Sequence, residues 1–126
     1  MSVKLEHVNV TVSDPEATAA MYGRLFGWDI RWQGASIHGG HTVHVGSKDQ
    51  YIALYRGPGA QLKPDISYET FGGLNHIAIV VDDLDALEQR IKTEGLPVYS
   101  HANYEPGRRF YFNDTDGIEY ESVSYS

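Results

Sequence analysis

Two stretches of the chain repeat one alternation of apolar and polar residues. "LEHVNVTV" begins at Leu5 and "LNHIAIVV" begins at Leu74, and each carries a histidine two residues after its leucine. From Val8 onward, every second residue of the first stretch is apolar, which is typical of a strand with one face on a core. The pattern therefore predicts that His7 and His76 occupy the same position, on the polar face, in two copies of one strand.

A helix is predicted after each of these strands. Ser13 and Glu16 have the spacing of a capping box, and Gly27 suits the left-handed position at which helices often end. In the second copy Asp83 is the predicted cap, and Gly95 ends the helix. Its buried stripe has helical spacing and consists of Leu84, Leu87 and Ile91.

Three further short strands are predicted in each copy. In the first copy they span residues 28–33, 41–46 and 51–55, and in the second 98–100, 109–112 and 119–124. The order is βαβββ twice, which indicates an α+β fold of two curled mixed sheets around a cleft. Residues 1–57 form the first predicted module and 73–126 the second. Residues 58–72 lack periodicity and are interpreted as the linker.

Composition narrows the class of protein. The 126 residues suffice for one domain, and the absence of cysteine excludes disulfides and thiolate metal sites. A net charge of −7 argues against a nucleic-acid partner. No apolar run approaches the length of a membrane span, and no secretion signal is recognisable. We therefore expect a cytoplasmic protein that does not bind membranes.

Three segments resemble the vicinal oxygen chelate superfamily, which includes glyoxalase I, bleomycin resistance proteins, fosfomycin resistance enzymes and extradiol dioxygenases. The segments are "LEHVNVTVSDPEATAAMYGRLFGW", "LNHIAIVVDDLDAL" and "RRFYFNDTDGIEYESV". The resemblance implies two βαβββ modules around a metal or ligand cleft, a homodimer and a small-molecule substrate. Open sheet edges independently favour a two-fold dimer.

The resemblance also implies a set of metal ligands. By position they are His7, His76 and Glu121, and Glu121 is also a catalytic candidate. The fourth ligand position of the family falls on Ala53, and residues 51–55 contain no carboxylate. Two imidazoles and one carboxylate suit a divalent metal such as Zn, Ni, Fe(II) or Mn, and leave coordination positions open. The sequence does not decide whether one chain or two subunits supply the set.

Further residues are candidates for contacts with a substrate. His44 is a candidate for acid–base chemistry, since imidazole titrates near neutrality. Arg109 and Tyr111 are expected on the cleft side of their strand, where the arginine could hold a carboxylate or phosphate. The alternative for Arg109 is a salt bridge to a surface acid. Trp32 and Tyr55 are candidates for an apolar pocket wall.

Two other features allow more than one interpretation. Glu119 is expected to be a solvated strand residue, with a base or substitute ligand as the alternative. His38 and His41 stand with His44 in "SIHGGHTVH", which raises a second metal site, although Gly39 and Gly40 favour a mobile loop.

The leading functional hypothesis is a divalent-metal-dependent isomerase, lyase or dioxygenase acting on a small oxygenated molecule. The missing fourth ligand at Ala53 disfavours true glyoxalase I activity. The alternative is a metal-free protein that binds a small molecule or drug, as the bleomycin resistance members do.

Overall fold

The computed structural model describes residues 2–62, 67–104 and 107–125. The chain divides into two compact units, which we call unit 1 (Met1–Leu62) and unit 2 (Lys63–Ser126). The strands and helices of unit 1 are β1 (His7–Thr11), α1 (Pro15–Phe26), β2 (Asp29–Ala35), β3 (His41–Gly46) and β4 (Tyr51–Arg56). Those of unit 2 are β5 (Ile77–Val80), α2 (Leu84–Thr93), β6 (Val98–Tyr104), β7 (Gly107–Asn113) and β8 (Glu119–Ser124).

Each unit contains one four-stranded mixed sheet. The strand order is β1-β4-β3-β2 in unit 1 and β5-β8-β7-β6 in unit 2. In both sheets the first strand runs parallel to the last strand of its unit, and the remaining pairs are antiparallel. The predicted α+β class and the βαβββ order of each module are therefore confirmed. Short 3₁₀ turns at Ile37–Gly39 and Ser67–Glu69 complete the described elements.

The first helix is capped one residue later than its sequence predicts. The Asp14 side chain accepts a hydrogen bond from the Ala17 backbone N–H at 3.1 Å. The predicted capping box of Ser13 and Glu16 is wrong, because Pro15 occupies the first helical position and makes the residue before it the cap. An aspartate in that position also places a negative charge at the positive end of the helix.

The other helix ends follow their local sequence. The Asp83 side chain accepts from the Ala86 backbone N–H at 3.0 Å and caps α2, as predicted. Gly27 ends α1 with φ of 71° and Gly95 follows α2 with φ of 78°. Both glycines thus take left-handed conformations that other residues adopt only with strain.

The cores of the two units place their large side chains on different elements. In unit 1 the helix contributes the fully buried Tyr22, while the equivalent strand positions carry Val43 and Val45. In unit 2 the strand contributes Phe110 and Phe112, both fully buried, and Phe112 stacks on Tyr120 with ring centroids 4.8 Å apart. The buried residues of α2 are the smaller aliphatic Leu84, Leu87 and Ile91.

The start of β1 departs from the predicted pattern. Val10 and Val12 are buried, but Val8 is 40% exposed. The helix α1 packs on β2, β3 and β4, whereas β1 lies at the edge of the sheet. The prediction that Val8 shares the core face of the strand with Val10 and Val12 is therefore wrong.

Candidate functional site

The strand registers define which side chains are equivalent in the two units. Asn9 lies opposite Ala53 in unit 1, and Ala78 lies opposite Glu121 in unit 2. Asn9 and Ala78 each stand two residues after the repeated histidine. Ala53 is therefore the counterpart of Glu121. This register confirms that the position aligned with the family's fourth ligand is Ala53, so unit 1 has no carboxylate there.

His76 and two carboxylates lie close together in unit 2. The Nε2 atom of His76 is 3.2 Å from Glu121 Oε1, and its Nδ1 atom is 3.6 Å from Glu119 Oε1. The side chains of Glu119 and Glu121 are 21% and 12% exposed. The prediction that Glu119 is solvated is therefore wrong, because it shares the partly buried face of the sheet with His76.

Two tyrosine hydroxyls hold the Glu119 carboxylate. Tyr68 donates to Oε1 at 2.6 Å, and the Tyr99 hydroxyl lies 2.9 Å from Oε2 and 2.5 Å from Asn113 Oδ1, which share its one proton. The hydrogen bond to Glu119 raises the pKa of Tyr68 to about 12, and burial followed by the same kind of bond raises the pKa of Tyr99. Both hydroxyls therefore keep their protons at neutral pH and act as donors. We call His76, Glu119, Glu121, Tyr68 and Tyr99 the His76 cluster.

Tyr68 is a member of the cluster that sequence reasoning missed. Its hydroxyl lies 3.1 Å from His76 Nδ1. The residue belongs to the aperiodic stretch interpreted as a linker, where neither strand nor helix periodicity assigns a side chain to a face. The pair of glycines at Gly72 and Gly73 was the available signal, since it indicates a turn that folds the stretch back.

Arg109 fixes the second carboxylate of the cluster. Its Nη1 atom donates to Glu121 Oε2 at 2.7 Å, and both side chains are 12% exposed. Its guanidinium also lies 4.8 Å from the ring centroid of Tyr104. Tyr111 lies opposite Glu121 in the sheet and meets the His76 ring edge-on at 5.7 Å. Arg109 and Tyr111 thus lie beside the cluster, and their contact with a substrate stays a prediction.

The equivalent face of unit 1 carries rings instead of carboxylates. Tyr51 stacks on His7 at 4.7 Å and on His44 at 4.6 Å between ring centroids. The guanidinium of Arg31 lies 4.4 Å from the Tyr51 ring, and Trp32 lies 5.1 Å from His44. We call these five residues the Tyr51 stack.

The surroundings of His44 in the Tyr51 stack keep its imidazole neutral. Burial, followed by electrostatic interactions with His7 and with the Arg31 guanidinium, lowers the pKa of His44. The His7 Nδ1 atom lies 2.8 Å from a carboxylate oxygen of Glu6. At neutral pH His44 therefore retains a free lone pair for accepting a proton or a hydrogen bond.

The remaining candidates of unit 1 differ in accessibility. Trp32 is 49% exposed, so its ring remains available to a ligand. The Tyr55 hydroxyl donates to the Ile37 carbonyl at 2.8 Å and holds the 3₁₀ turn that contains His38. His41 lies 3.6 Å from Glu16. The three neighbouring histidines thus have different surroundings.

The fit of a metal ion depends on the donors that lie together. Within residues 2–62, 67–104 and 107–125, no three His, Asp or Glu side chains are grouped so as to hold a metal. His76 Nε2 and Glu121 Oε1, 3.2 Å apart, do fit as two neighbouring ligands of one ion. Ligands at about 2.0–2.2 Å from a metal lie about 3 Å from each other in ordinary geometries. His76 and Glu121 therefore fit a metal ion as a pair of neighbouring ligands.

Comparison with known proteins places the chain in a family. The ethylmalonyl-CoA/methylmalonyl-CoA epimerase of Cereibacter sphaeroides is 30% identical over 98 residues, which cover 75% of this chain and 73% of the epimerase. The antibiotic-binding protein TnmS3 from Streptomyces sp. CB03234 is 26% identical, with a TM-score of 0.74 over 100% of this chain and 99% of that one.

Two further crystal structures share the fold. A glyoxylase/bleomycin resistance protein/dioxygenase domain from Frankia sp. EAN1pec gives a TM-score of 0.83 at 22% identity, covering 98% of this chain and 93% of that one. The fosfomycin resistance protein FosX from Listeria monocytogenes, complexed with Mn(II) and sulfate, gives 0.76 at 21% identity, covering 100% and 95%.

Among the helices in the described part of the chain, none is long and apolar enough to cross a membrane. The family model of the Glyoxalase/Bleomycin resistance protein/Dioxygenase superfamily matches residues 4–121, which is nearly the whole chain. This chain therefore belongs to the glyoxalase/bleomycin resistance/dioxygenase superfamily.

Proposed function

We propose that the protein is a cytoplasmic, divalent-metal-dependent enzyme that acts on a small oxygenated molecule, and that its reaction is an isomerisation. His7, His76 and Glu121 hold the metal in this proposal. The epimerase relative, 30% identical over 75% of the chain, supports isomerase chemistry over lyase or dioxygenase chemistry. An epimerase inverts a stereocentre, which requires a group that removes a proton and a group that returns one.

The observation that carries the proposal is the approach of His76 to Glu121. Arg109 binds Oε2 of the carboxylate at 2.7 Å, while Oε1 lies 3.2 Å from His76 Nε2. The arginine thereby fixes the orientation of the carboxylate and leaves one oxygen directed at the imidazole. Hydrogen bonds from neighbouring residues to the ligands of a metal centre orient those ligands in this way.

The residues around the cluster have defined parts in the proposal. A bound divalent metal supplies a Lewis acid that stabilises negative charge developing on a substrate oxygen. Arg109 and Tyr111 contact the substrate beside Glu121, while Trp32 and Tyr55 contribute apolar surface. The neutral ring of His44 is the candidate for accepting a proton, because the lowered pKa keeps its lone pair free.

Metal analysis of the purified protein tests the proposal. Protein is loaded separately with Zn, Ni, Fe(II) or Mn, dialysed and analysed for bound metal. We expect a stoichiometric metal in the natural protein and its loss in His76→Ala and Glu121→Gln. His101→Ala is the matched control, since His101 also lies on a strand of unit 2 but its Nε2 binds Glu88 at 2.9 Å. Folded natural protein that retains none of the four metals would overturn the proposal.

His7 and the assembly need a separate test. We propose a homodimer, in which the third ligand comes from the same chain or from a second copy. Light scattering should give the dimer mass, and His7→Ala should lose metal as His76→Ala does. If two copies share each site, mixing His7→Ala with Glu121→Gln should restore metal to about half of the sites in mixed dimers. A monomer that binds metal would contradict the dimer.

A second candidate function is metal-free binding of a planar aromatic compound. The stacked rings of His7, Tyr51 and His44, together with half-exposed Trp32, favour it. So does the likeness to the antibiotic-binding protein TnmS3, at 26% identity over the whole chain.

Calorimetric titration with planar aromatic antibiotics tests this second function. Binding should persist in the presence of a chelator. It should weaken about tenfold in Trp32→Leu, since stacking of a nucleobase-sized ring on an aromatic side chain contributes about 1–3 kcal/mol. The control Tyr125→Leu changes an exposed aromatic residue at the far end of the sequence. Titrations without heat or spectral change across the panel would count against this function.

A further inference from the structure

One hydroxyl joins a histidine and a carboxylate in the His76 cluster. The Tyr68 oxygen lies 2.6 Å from Glu119 Oε1 and 3.1 Å from His76 Nδ1. A phenol carries one proton and two lone pairs, whereas an ionised carboxylate only accepts hydrogen bonds. The Tyr68 proton must therefore point to Glu119, and the Tyr68 oxygen can only accept a hydrogen bond from His76.

This order of donors determines where the imidazole carries its proton. If Nδ1 donates to Tyr68, a neutral His76 ring has its proton on Nδ1 and none on Nε2. The unprotonated Nε2 then faces Glu121 Oε1 at 3.2 Å. At this distance the two lone pairs can bind one cation as neighbouring ligands, because a metal about 2.0–2.2 Å from each atom fits to one side of the line that joins them.

We propose that Tyr68 is a positioning residue that, through Glu119, holds His76 in the tautomer whose unprotonated Nε2 is directed at Glu121. The proposed metal-binding function explains the use of this tautomer, and to that extent the inference rests on that function. The tautomer itself is a property of the protein without metal, so it is measured independently. The Tyr99 hydroxyl lies 2.9 Å from the other oxygen of Glu119 and 2.5 Å from Asn113 Oδ1.

The chain segment before β5 is folded so that Tyr68 reaches the cluster. Thr70 N–H donates to the Ser67 carbonyl at 3.2 Å, and Gly73 N–H donates to the Thr70 carbonyl at 2.9 Å. Gly72 has φ of 79°, and a Cβ atom on Gly73 would lie 2.6 Å from the Ser67 carbonyl oxygen. Two successive turns thus return the segment to the sheet, and the second requires glycine at position 73.

Nitrogen NMR of the metal-free protein measures the tautomer directly. Histidines are labelled with ¹⁵N, the His76 signals are assigned by their loss in His76→Ala, and spectra are recorded at pH 8.5. We expect His76 to be protonated on Nδ1 in the natural protein. Tyr68→Phe should shift it toward protonation on Nε2, because the phenylalanine ring accepts no hydrogen bond from Nδ1.

Two further variants separate positioning from general structural support. Tyr99→Phe removes the other hydroxyl beside Glu119 and leaves the contact between Tyr68 and His76 intact, so it should leave the tautomer in place. Gly73→Ala leaves every polar group of the cluster intact but displaces the turn, so it should reproduce the effect of Tyr68→Phe. An ordinary loss of stability would not distinguish these variants in this way.

Metal affinity completes the test. Tyr68→Phe should weaken metal binding about 10–100-fold, the range known for outer-shell partners of metal-bound histidines. A natural protein with His76 protonated on Nε2, or a Tyr68→Phe variant with an unchanged tautomer, would overturn the inference. The expected tautomer in a protein that binds none of the metals would support the positioning role and overturn the proposed function instead.

Discussion

The two units share one backbone plan but present different chemistry on the same face of the sheet. Five pairs of positions are equivalent by strand register: His7 and His76, Tyr51 and Glu119, Ala53 and Glu121, His44 and Tyr111, Trp32 and Tyr99. Only the histidine is the same in both. Unit 1 therefore carries stacked rings, and unit 2 carries carboxylates held by phenols and an arginine. The fold supplies positions, and the side chains at those positions determine the chemistry.

The same comparison extends to the buried face. Val43 and Val45 of β3 correspond to Phe110 and Phe112 of β7, and all four are fully buried. In unit 1 the helix instead carries a large, fully buried side chain, Tyr22. Because core packing is dense, one large side chain must come from either the helix or the sheet.

The largest expected effect is the loss of stability when the buried aromatic side chain of the unit 2 sheet is removed. Phe110→Ala should destabilise the protein by about 4 kcal/mol, because a buried aromatic residue leaves a large cavity. Val43→Ala removes far less volume at the equivalent position and should cost about 2 kcal/mol. Urea unfolding measures both. Equal losses would show that the two strands do not carry different shares of their cores.

The next largest effect is the loss of stability expected when a carboxylate is introduced at Ala53, the counterpart of Glu121. Ala53 is 2% exposed, so Ala53→Glu buries a charge at the position where unit 2 has Glu121. We expect a loss of about 3 kcal/mol, since a buried charge without a partner costs more than an unpaired neutral polar group. Urea unfolding and metal titration measure the outcome. Unchanged stability with tighter metal binding would instead show that this position is open to a fourth ligand.

A third effect compares the turns that lead into the last strand of each sheet. Asp114 accepts hydrogen bonds from the N–H groups of Asp116 at 2.9 Å and Ile118 at 3.0 Å, and from the buried Tyr120 hydroxyl at 2.7 Å. In unit 1 the corresponding turn has an exposed bond between Gln50 and Ser47, at 2.9 Å.

Asp114→Ala should therefore cost about 2 kcal/mol, because it removes an acceptor of the buried Tyr120 hydroxyl and of two backbone N–H groups. Ser47→Ala should change stability by less than about 0.5 kcal/mol, as is usual for exposed positions. Thermal unfolding of both variants is the measurement. A costly Ser47→Ala would remove the distinction between a buried and an exposed turn anchor.

Local signals in the sequence predicted most of the fold. Alternating residues predicted the strands, and Asp83, Gly27 and Gly95 marked helix ends, because these preferences depend on a few neighbouring residues. The bounds of β3 and β8 agree with the predicted ranges. Val8 was misplaced because its exposure depends on which strands the helix covers, and this is a tertiary property.

The candidate site was predictable where the duplicated strand or the family resemblance identified a residue. His76 and Glu121 were found from the duplicated strand and the family resemblance, and the structure places them side by side. Glu119 and Tyr68 were not found as partners of His76. Their contact joins an aperiodic segment to the last strand, and its formation depends on turns and register rather than on local spacing.

The smallest expected effect is a pH dependence that only the turn of unit 2 should show. Burial raises the pKa of Asp114 above its ordinary value of 3.8, and it outweighs the hydrogen bonds from Tyr120, Ile118 and Asp116, which lower it. Above pH 3.8 and up to its folded pKa, this carboxyl binds more protons in the folded state than in the unfolded state. Its contribution to stability is thus fully present at lower pH and is lost as the pH rises through that window.

Asp114→Asn removes this titration while keeping the size of the side chain. The stability of the natural protein relative to Asp114→Asn should therefore decrease as the pH rises above 3.8, and it should level off once the folded carboxyl has ionised. Ser47→Ala should show no comparable trend relative to the natural protein, because neither Ser47 nor Gln50 ionises. Urea unfolding at a series of pH values measures both differences. A relative stability that rises with pH would mean that the hydrogen bonds to Asp114 outweigh its burial, and the turn of unit 2 would then be anchored chiefly by its charge.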